Sequence, residues 1–92
     1  IAMGTDTGPP ARFQGYFEHM ELEMMVKAGL TPMQAIVAAT GDAARCMKNT
    51  GGLGTLVAGA PADLAVYAED PSVDIRNTRT IESVWIAGRR VP

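Results

Sequence analysis

Asp6 is the residue best placed to do chemistry in this 92-residue chain. It closes a short apolar run, Ile1-Ala2-Met3-Gly4-Thr5. Thr7-Gly8-Pro9-Pro10 follows, a stretch that can neither extend a strand nor sit inside a helix. A carboxylate at the C-terminal end of a buried strand stands where α/β barrels put catalytic groups. There it can hold a metal or accept a proton from water. Aspartate also starts turns and caps helices, so Gly4-Thr5-Asp6 alone leaves both roles open.

The other candidates are weaker. His19 is the only histidine, and Glu23 lies one helical turn beyond it, a spacing that suits two ligands on one face. No second histidine completes a zinc-type set, so a structural or surface role is expected of His19. Cys46, the single cysteine, has no histidine or cysteine near it in sequence and is expected to be a small buried apolar residue, not a nucleophile. Asp63 opens an apolar run after Gly59 and Pro61 and is expected to fix a turn through local backbone amides. The glycines at 51, 52 and 54 precede a strand-like run and lack the Lys-Ser/Thr of a phosphate loop, which excludes nucleotide binding.

The elements that must position these groups follow from periodicity. Ile1 to Thr5 reads as a short strand covered on both faces. Tyr16 to Ala28 reads as a helix, with Phe17, Met20, Met24 and Leu22, Met25, Val26 at spacings of three and four. Its acids cluster toward the N-terminus, Lys27 lies near the other end, and Gly29 stops it. Thr31-Pro32-Met33-Gln34 reads as a capping box that opens a second, alanine-rich helix. A break at Thr40-Gly41-Asp42 and a short helix from Ala43 to Lys48 follow. Beyond Asn49, Leu53 to Val57, Ala62 to Tyr67 and Ile81 to Ala87 read as strands, with a turn at Asp70-Pro71 and another at Gly88-Arg89.

Composition bounds the rest. The length allows one small domain, and its filling is rich in methionine and poor in aromatics, with six Met against one Trp, two Tyr and two Phe. Such a core specifies a shape weakly and gains from packing on more protein. The formal charge is −2 and no basic stripe is present, so nucleic acid is not an expected partner. No apolar run approaches the roughly 18 residues of a membrane span, and no leader is visible. One cysteine cannot make an internal disulfide, which fits a reducing cytoplasm.

Taken together, the motifs resemble the amidohydrolase superfamily, in its imidazolonepropionase-like and prolidase-like branch. The resemblance rests on Gly4-Thr5-Asp6, Phe13 through Leu22, Ala28-Gly29-Leu30-Thr31-Pro32-Met33-Gln34-Ala35 and Ala39-Thr40-Gly41-Asp42-Ala43-Ala44. It continues through Gly51 to Leu64 and ends with Val84-Trp85-Ile86-Ala87-Gly88-Arg89-Arg90-Val91. Each motif is weak, and the set in this order is specific.

The resemblance implies an α/β fold: residues 1–48 as the last β/α unit of a TIM-type (β/α)₈ barrel, and residues 49–92 as the C-terminal part of a small β-sandwich. As an isolated chain it would be a small α+β unit. It implies hydrolysis of an amide, cyclic amide or dipeptide bond with a divalent metal, often zinc. Asp6 would be metal ligand and proton shuttle, and the substrate-binding residues are not indicated. The family's paired histidines after strand one, its mid-barrel lysine or glutamate and its two later histidines have no counterparts here, and His19 matches none of them. One carboxylate cannot supply a zinc site, so the isolated chain is expected to be inactive. It would associate with the missing barrel portion or with itself. The alternative is a non-catalytic, self-associating folding or assembly module.

Overall fold

The computed structural model describes residues 1–4, 15–48 and 51–92. Asp6 therefore lies outside the described residues. Three α-helices come first: α1 (Tyr16–Lys27), α2 (Pro32–Ala39) and α3 (Gly41–Cys46). The strands β1 (Leu64–Tyr67), β2 (Ile81–Ile86) and β3 (Arg89–Arg90) follow, with a 3₁₀ helix, Ile75–Arg79, between β1 and β2. The chain is thus a small α+β structure.

The helix boundaries have local causes. Glu18 accepts a hydrogen bond from the Gly15 N–H at the start of α1. At its end the Ala28 and Gly29 amides donate to Met24 and Val26. Thr31 caps α2 reciprocally. Its hydroxyl accepts from the Gln34 N–H at 3.1 Å, and the Gln34 side chain accepts from the Thr31 N–H at 2.9 Å. The expected break falls at Thr40, whose hydroxyl donates back to the Ile36 carbonyl at 2.7 Å. Helix α3 starts at Gly41, two residues before the expected Ala43.

The sheet is antiparallel in the order β1-β2-β3. Leu64 pairs with Trp85, Ala65 with Val84 and Val66 with Ser83. A bulge then moves Tyr67 opposite Ile81. A two-residue turn, Ala87-Gly88, joins β2 to β3 with φ of 51° and 79°. Positive φ at both positions gives the turn the twist that a two-residue hairpin requires.

Three expectations fail here. Leu53 to Val57 forms turns, not a strand: Gly52 and Gly54 hold φ near 84° and 85°, and Leu56 and Val57 are exposed. The chain beyond Gly88 makes the short strand β3 where only a turn was expected. Residues 1–4 are not in a strand, because a strand needs a neighbouring strand edge and Met3 finds a helix instead. The Met3 N–H donates to the Ala38 carbonyl in the last turn of α2, at 3.1 Å.

The core is small. Leu22, Ala35 and Ile75 form a buried cluster, with Met3, Met25, Val26, Ile36 and Ala39 packed against it. Ala35 and Ala38 are wholly buried; their small side chains let α1, α2 and the N-terminal segment approach closely. Ile75 brings the 3₁₀ helix into the same cluster. Ile1, Met24, Met33, Val37, Met47, Leu56, Val57 and Ile86 stay exposed.

Candidate functional site

The segment that leads to Asp6 is anchored at two levels. The Met3 side chain joins the core cluster, and its backbone is tied to the C-terminal turn of α2. Helix α2 is held in turn by the Thr31 cap and by packing against α1. The position of residues 1–4 is therefore set by helix packing.

His19 and Glu23 do share one face of α1, as their spacing predicts, and both are already engaged. His19 Nδ1 lies 2.9 Å from Oγ1 of Thr78, a buried residue of the 3₁₀ helix. Glu23 receives two hydrogen bonds from Arg79, Nε to Oε1 and Nη2 to Oε2, each 3.1 Å. The Arg79 bond holds the Glu23 carboxyl below its ordinary range and raises the arginine in return. The Arg79 guanidinium also stands 5.5 Å from the centre of the Tyr16 ring. This pairing fastens α1 to the 3₁₀ helix, in line with the structural role expected of His19. Neither Thr78 nor Arg79 stood out in the sequence, since partners 59 and 56 residues away leave no local signal.

No group of three or more His, Cys, Asp or Glu side chains converges among the described residues. Cys46 is exposed at the end of α3, which corrects the expectation of a buried residue: α3 packs on α2 and presents its last turn to solvent.

Asp63 does bond a backbone amide, and the amide is not local. Its Oδ1 accepts from the Ala87 N–H at 2.7 Å, while the neighbouring Ala62 carbonyl accepts from Gly88 at 3.1 Å. The carboxylate clamps the β2–β3 turn onto the start of β1. The acids of the 70–74 loop are likewise structural. Asp70 accepts from the Ser72 N–H and hydroxyl, which lower its carboxyl. Asp74 caps the 3₁₀ helix at the Arg76 N–H and pairs with the Arg76 side chain, which pulls its carboxyl down to about 2. Burial alone raises the Tyr67 hydroxyl.

A cavity of about 470 Å³ along α2 is lined by Ile1, Leu30, Met33 and Val37, with Asp42 at its edge. Asp42 is paired with Arg45, so this space offers apolar surface and no free acid or base.

The sequence profile of the Amidohydrolase family matches residues 1–91, and the chain belongs to that family. It is 39% identical to the imidazolonepropionase of Haloarcula marismortui over 82% of this chain and 18% of that protein. It is 35% identical to the ochratoxinase of Aspergillus niger over 97% of this chain and 18% of that protein. Among solved structures it superposes on molinate hydrolase with a TM-score of 0.90 and 29% identity, over 98% of this chain and 23% of that one. On phenylurea hydrolase B the TM-score is 0.79 at 36% identity, over 84% of this chain and 17% of that one. The chain thus spans less than a fifth of the curated relatives it matches. No described helix is long and apolar enough to cross a membrane.

Proposed function

We propose that this chain is one part of a metal-dependent amidohydrolase that hydrolyses a carbon–nitrogen bond in a small amide, cyclic amide or dipeptide. Residues 1–48 are read as the last β/α unit of its (β/α)₈ barrel and residues 49–92 as part of its β-sandwich. The observation that carries the reading is the family match along residues 1–91, which includes Asp6. The relatives' names concern four different substrates, so kinship supports hydrolysis as the reaction class and leaves the substrate open.

A divalent ion, zinc in this reading, supplies Lewis acidity to the complete site. This chain contributes Asp6, a carboxylate that binds the ion and accepts a proton. The donor set does not fit a metal by itself: His19 and Glu23 are engaged elsewhere, and the described residues hold no cluster of ligands. Zinc needs about three or four ligands, so the remaining ones belong to the part of the enzyme outside the matched region. A reducing cytoplasm suits the single Cys46. Neither nucleic acid nor a membrane is a partner in this reading.

The test is a chimera in which this chain replaces the superposing part of molinate hydrolase. Metal-dependent hydrolysis is expected, and Asp6→Ala should abolish it. A folded, active chimera indifferent to Asp6→Ala overturns the reading. The 92-residue chain alone should bind zinc weakly and hydrolyse nothing; robust zinc-dependent turnover by it, lost in Asp6→Ala, overturns that part.

The many exposed apolar side chains favour a second reading, a non-catalytic module that self-associates as a homo-oligomer. A monomer at low micromolar concentration in sedimentation experiments would dismiss it.

A further inference from the structure

Asp70 and Pro71 form the chain's one aspartyl-prolyl bond. Three donors converge on the carbonyl oxygen of that bond. Asn77 Nδ2, from within the 3₁₀ helix, donates to it at 2.9 Å, and the Val73 and Asp74 amides donate at 3.3 and 3.4 Å. The Asp70 side chain is itself held in place. Ser72 donates to Oδ1 from its N–H at 2.8 Å and from its hydroxyl at 2.6 Å, and neither bond uses Oδ2. Asp70 is exposed, so water reaches the bond. The nitrogen of Pro71 carries no hydrogen and would leave as a secondary amine. The other described aspartates, Asp42, Asp63 and Asp74, precede Ala43, Leu64 and Ile75 and lack such a leaving group. A carboxylate next to an acyl carbon, donors on the acyl oxygen and a basic leaving nitrogen are the parts of an acyl transfer.

We infer that the fold promotes hydrolysis of its own Asp70–Pro71 peptide bond in mild acid, with the Asp70 carboxylate as nucleophile and Asn77 as donor to the developing oxyanion. Oδ2 of Asp70 attacks its own carbonyl carbon, and a C–O bond forms. The carbonyl π pair moves onto the oxygen that Asn77 contacts, where a hydrogen bond strengthens as charge develops. As the carbonyl re-forms, the C–N bond to Pro71 breaks. Its electron pair stays on nitrogen, which takes a proton from solvent hydronium. Asp70 is left as a cyclic anhydride of the succinic type. Water opens the anhydride, restores the side-chain carboxyl and leaves a second carboxyl at the end of residues 1–70; nothing is oxidised or reduced. The Ser72 bonds lower the Asp70 carboxyl, so it stays ionised into mild acid, where protons for the leaving nitrogen are plentiful. The cut falls between β1 and β2, whose pairing keeps residues 71–92 attached to residues 1–70. Such self-cleavage stands whether or not the chain belongs to an active hydrolase.

The test holds the intact 92-residue chain at the lowest pH at which its far-UV circular dichroism is unchanged, and follows its mass over days. A single cut into residues 1–70 and 71–92 is expected, the two pieces eluting together until denaturant is added. At the same pH in denaturing guanidinium the donors are scattered, and the cut should slow about tenfold or more. Asn77→Ala removes the side-chain amide and keeps the backbone bonds of residue 77. It should slow the cut about tenfold in the folded chain and leave the denatured rate unchanged, a split that lost stability alone does not produce. Asp70→Asn should abolish the cut.

Equal rates in the folded and denatured chain overturn the proposal. So does a folded Asn77→Ala chain that is cut as fast as wild type, or a cut that persists in Asp70→Asn. If Asn77→Ala fails to fold, the comparison of folded with denatured wild type decides alone.

Discussion

Glu23 and Arg79 meet in a two-pronged ion pair, both contacts at 3.1 Å, that joins the first helix to the 3₁₀ helix 56 residues later. One turn earlier on the same helix, His19 contacts Thr78. The two contacts place Ile75 over Leu22 and Ala35, so the buried cluster and the polar clasp lie on one junction. Both partners of the ion pair are partly open to solvent, which limits what the pair alone contributes. Glu23→Gln and Arg79→Ala should each lower the urea midpoint slightly. The double variant should lose less than the sum of the two, and the difference should shrink in 1 M salt (Debye length about 3 Å).

Acid should loosen the same region. Glu23 and Asp74 both have folded-state carboxyls below their ordinary values, Glu23 through Arg79 and Asp74 through Arg76. A depressed carboxyl stabilises the fold fully above its unfolded value, near 3.8 for Asp74. That contribution is lost as pH falls through the folded value of about 2. Thermal midpoints recorded between pH 5 and pH 2 should therefore fall steadily. In Asp74→Asn the fall should be shallower; an equally steep one would remove this carboxyl from the account.

Two glycines with nearly equal backbone angles should respond unequally to alanine. Gly54, at φ 85°, would put a Cβ 2.6 Å from the Thr40 carbonyl oxygen, whereas Gly59, at φ 86°, has open space around it. Gly59→Ala meets only the left-handed backbone penalty, about 1–2 kcal/mol. Gly54→Ala adds a backbone collision at the α2–α3 junction and should cost clearly more, about 3 kcal/mol or beyond. Chemical denaturation of the two variants side by side checks the order.

The hairpin turn carries strain that can be relieved. Ala87 adopts φ 51°, where an L-residue is disfavoured, and Asp63 accepts its N–H. Ala87→Gly should stabilise the chain by about 0.5–1 kcal/mol, less than the full left-handed penalty because glycine is also freer when unfolded. Asp63→Ala should destabilise in either background, and a neutral result would mean that the clamp contributes nothing.

The helices were legible because their signals are local. Thr31-Pro32-x-Gln34 contains its own cap, and α1 shows its period within twelve residues. The Leu53 to Val57 run was misread because its apolar residues resemble a strand, whereas it forms turns. Gly54 sits so close to Thr40 that a Cβ there would collide with its carbonyl. The 3₁₀ helix went unseen for a similar reason: Asp74 is a fair cap, but nothing within Ile75–Arg79 announces a burial that depends on Leu22 and Ala35. Of the candidate site, Asp6 was legible as a position and lies outside the described residues. Asp63 was legible as a turn clamp, though not for which turn.

Because the chain has one histidine and one tryptophan, its two structural layers come with separate built-in reporters. His19 bridges helix and 3₁₀ helix through Thr78, and Trp85 sits in the central strand with its indole N–H donating to Ser83 at 3.0 Å. A single imidazole resonance and a single indole emission can therefore be followed in the same sample without labelling. Whether the helical clasp opens before the sheet melts, or both yield at once, becomes a matter of laying two curves over each other.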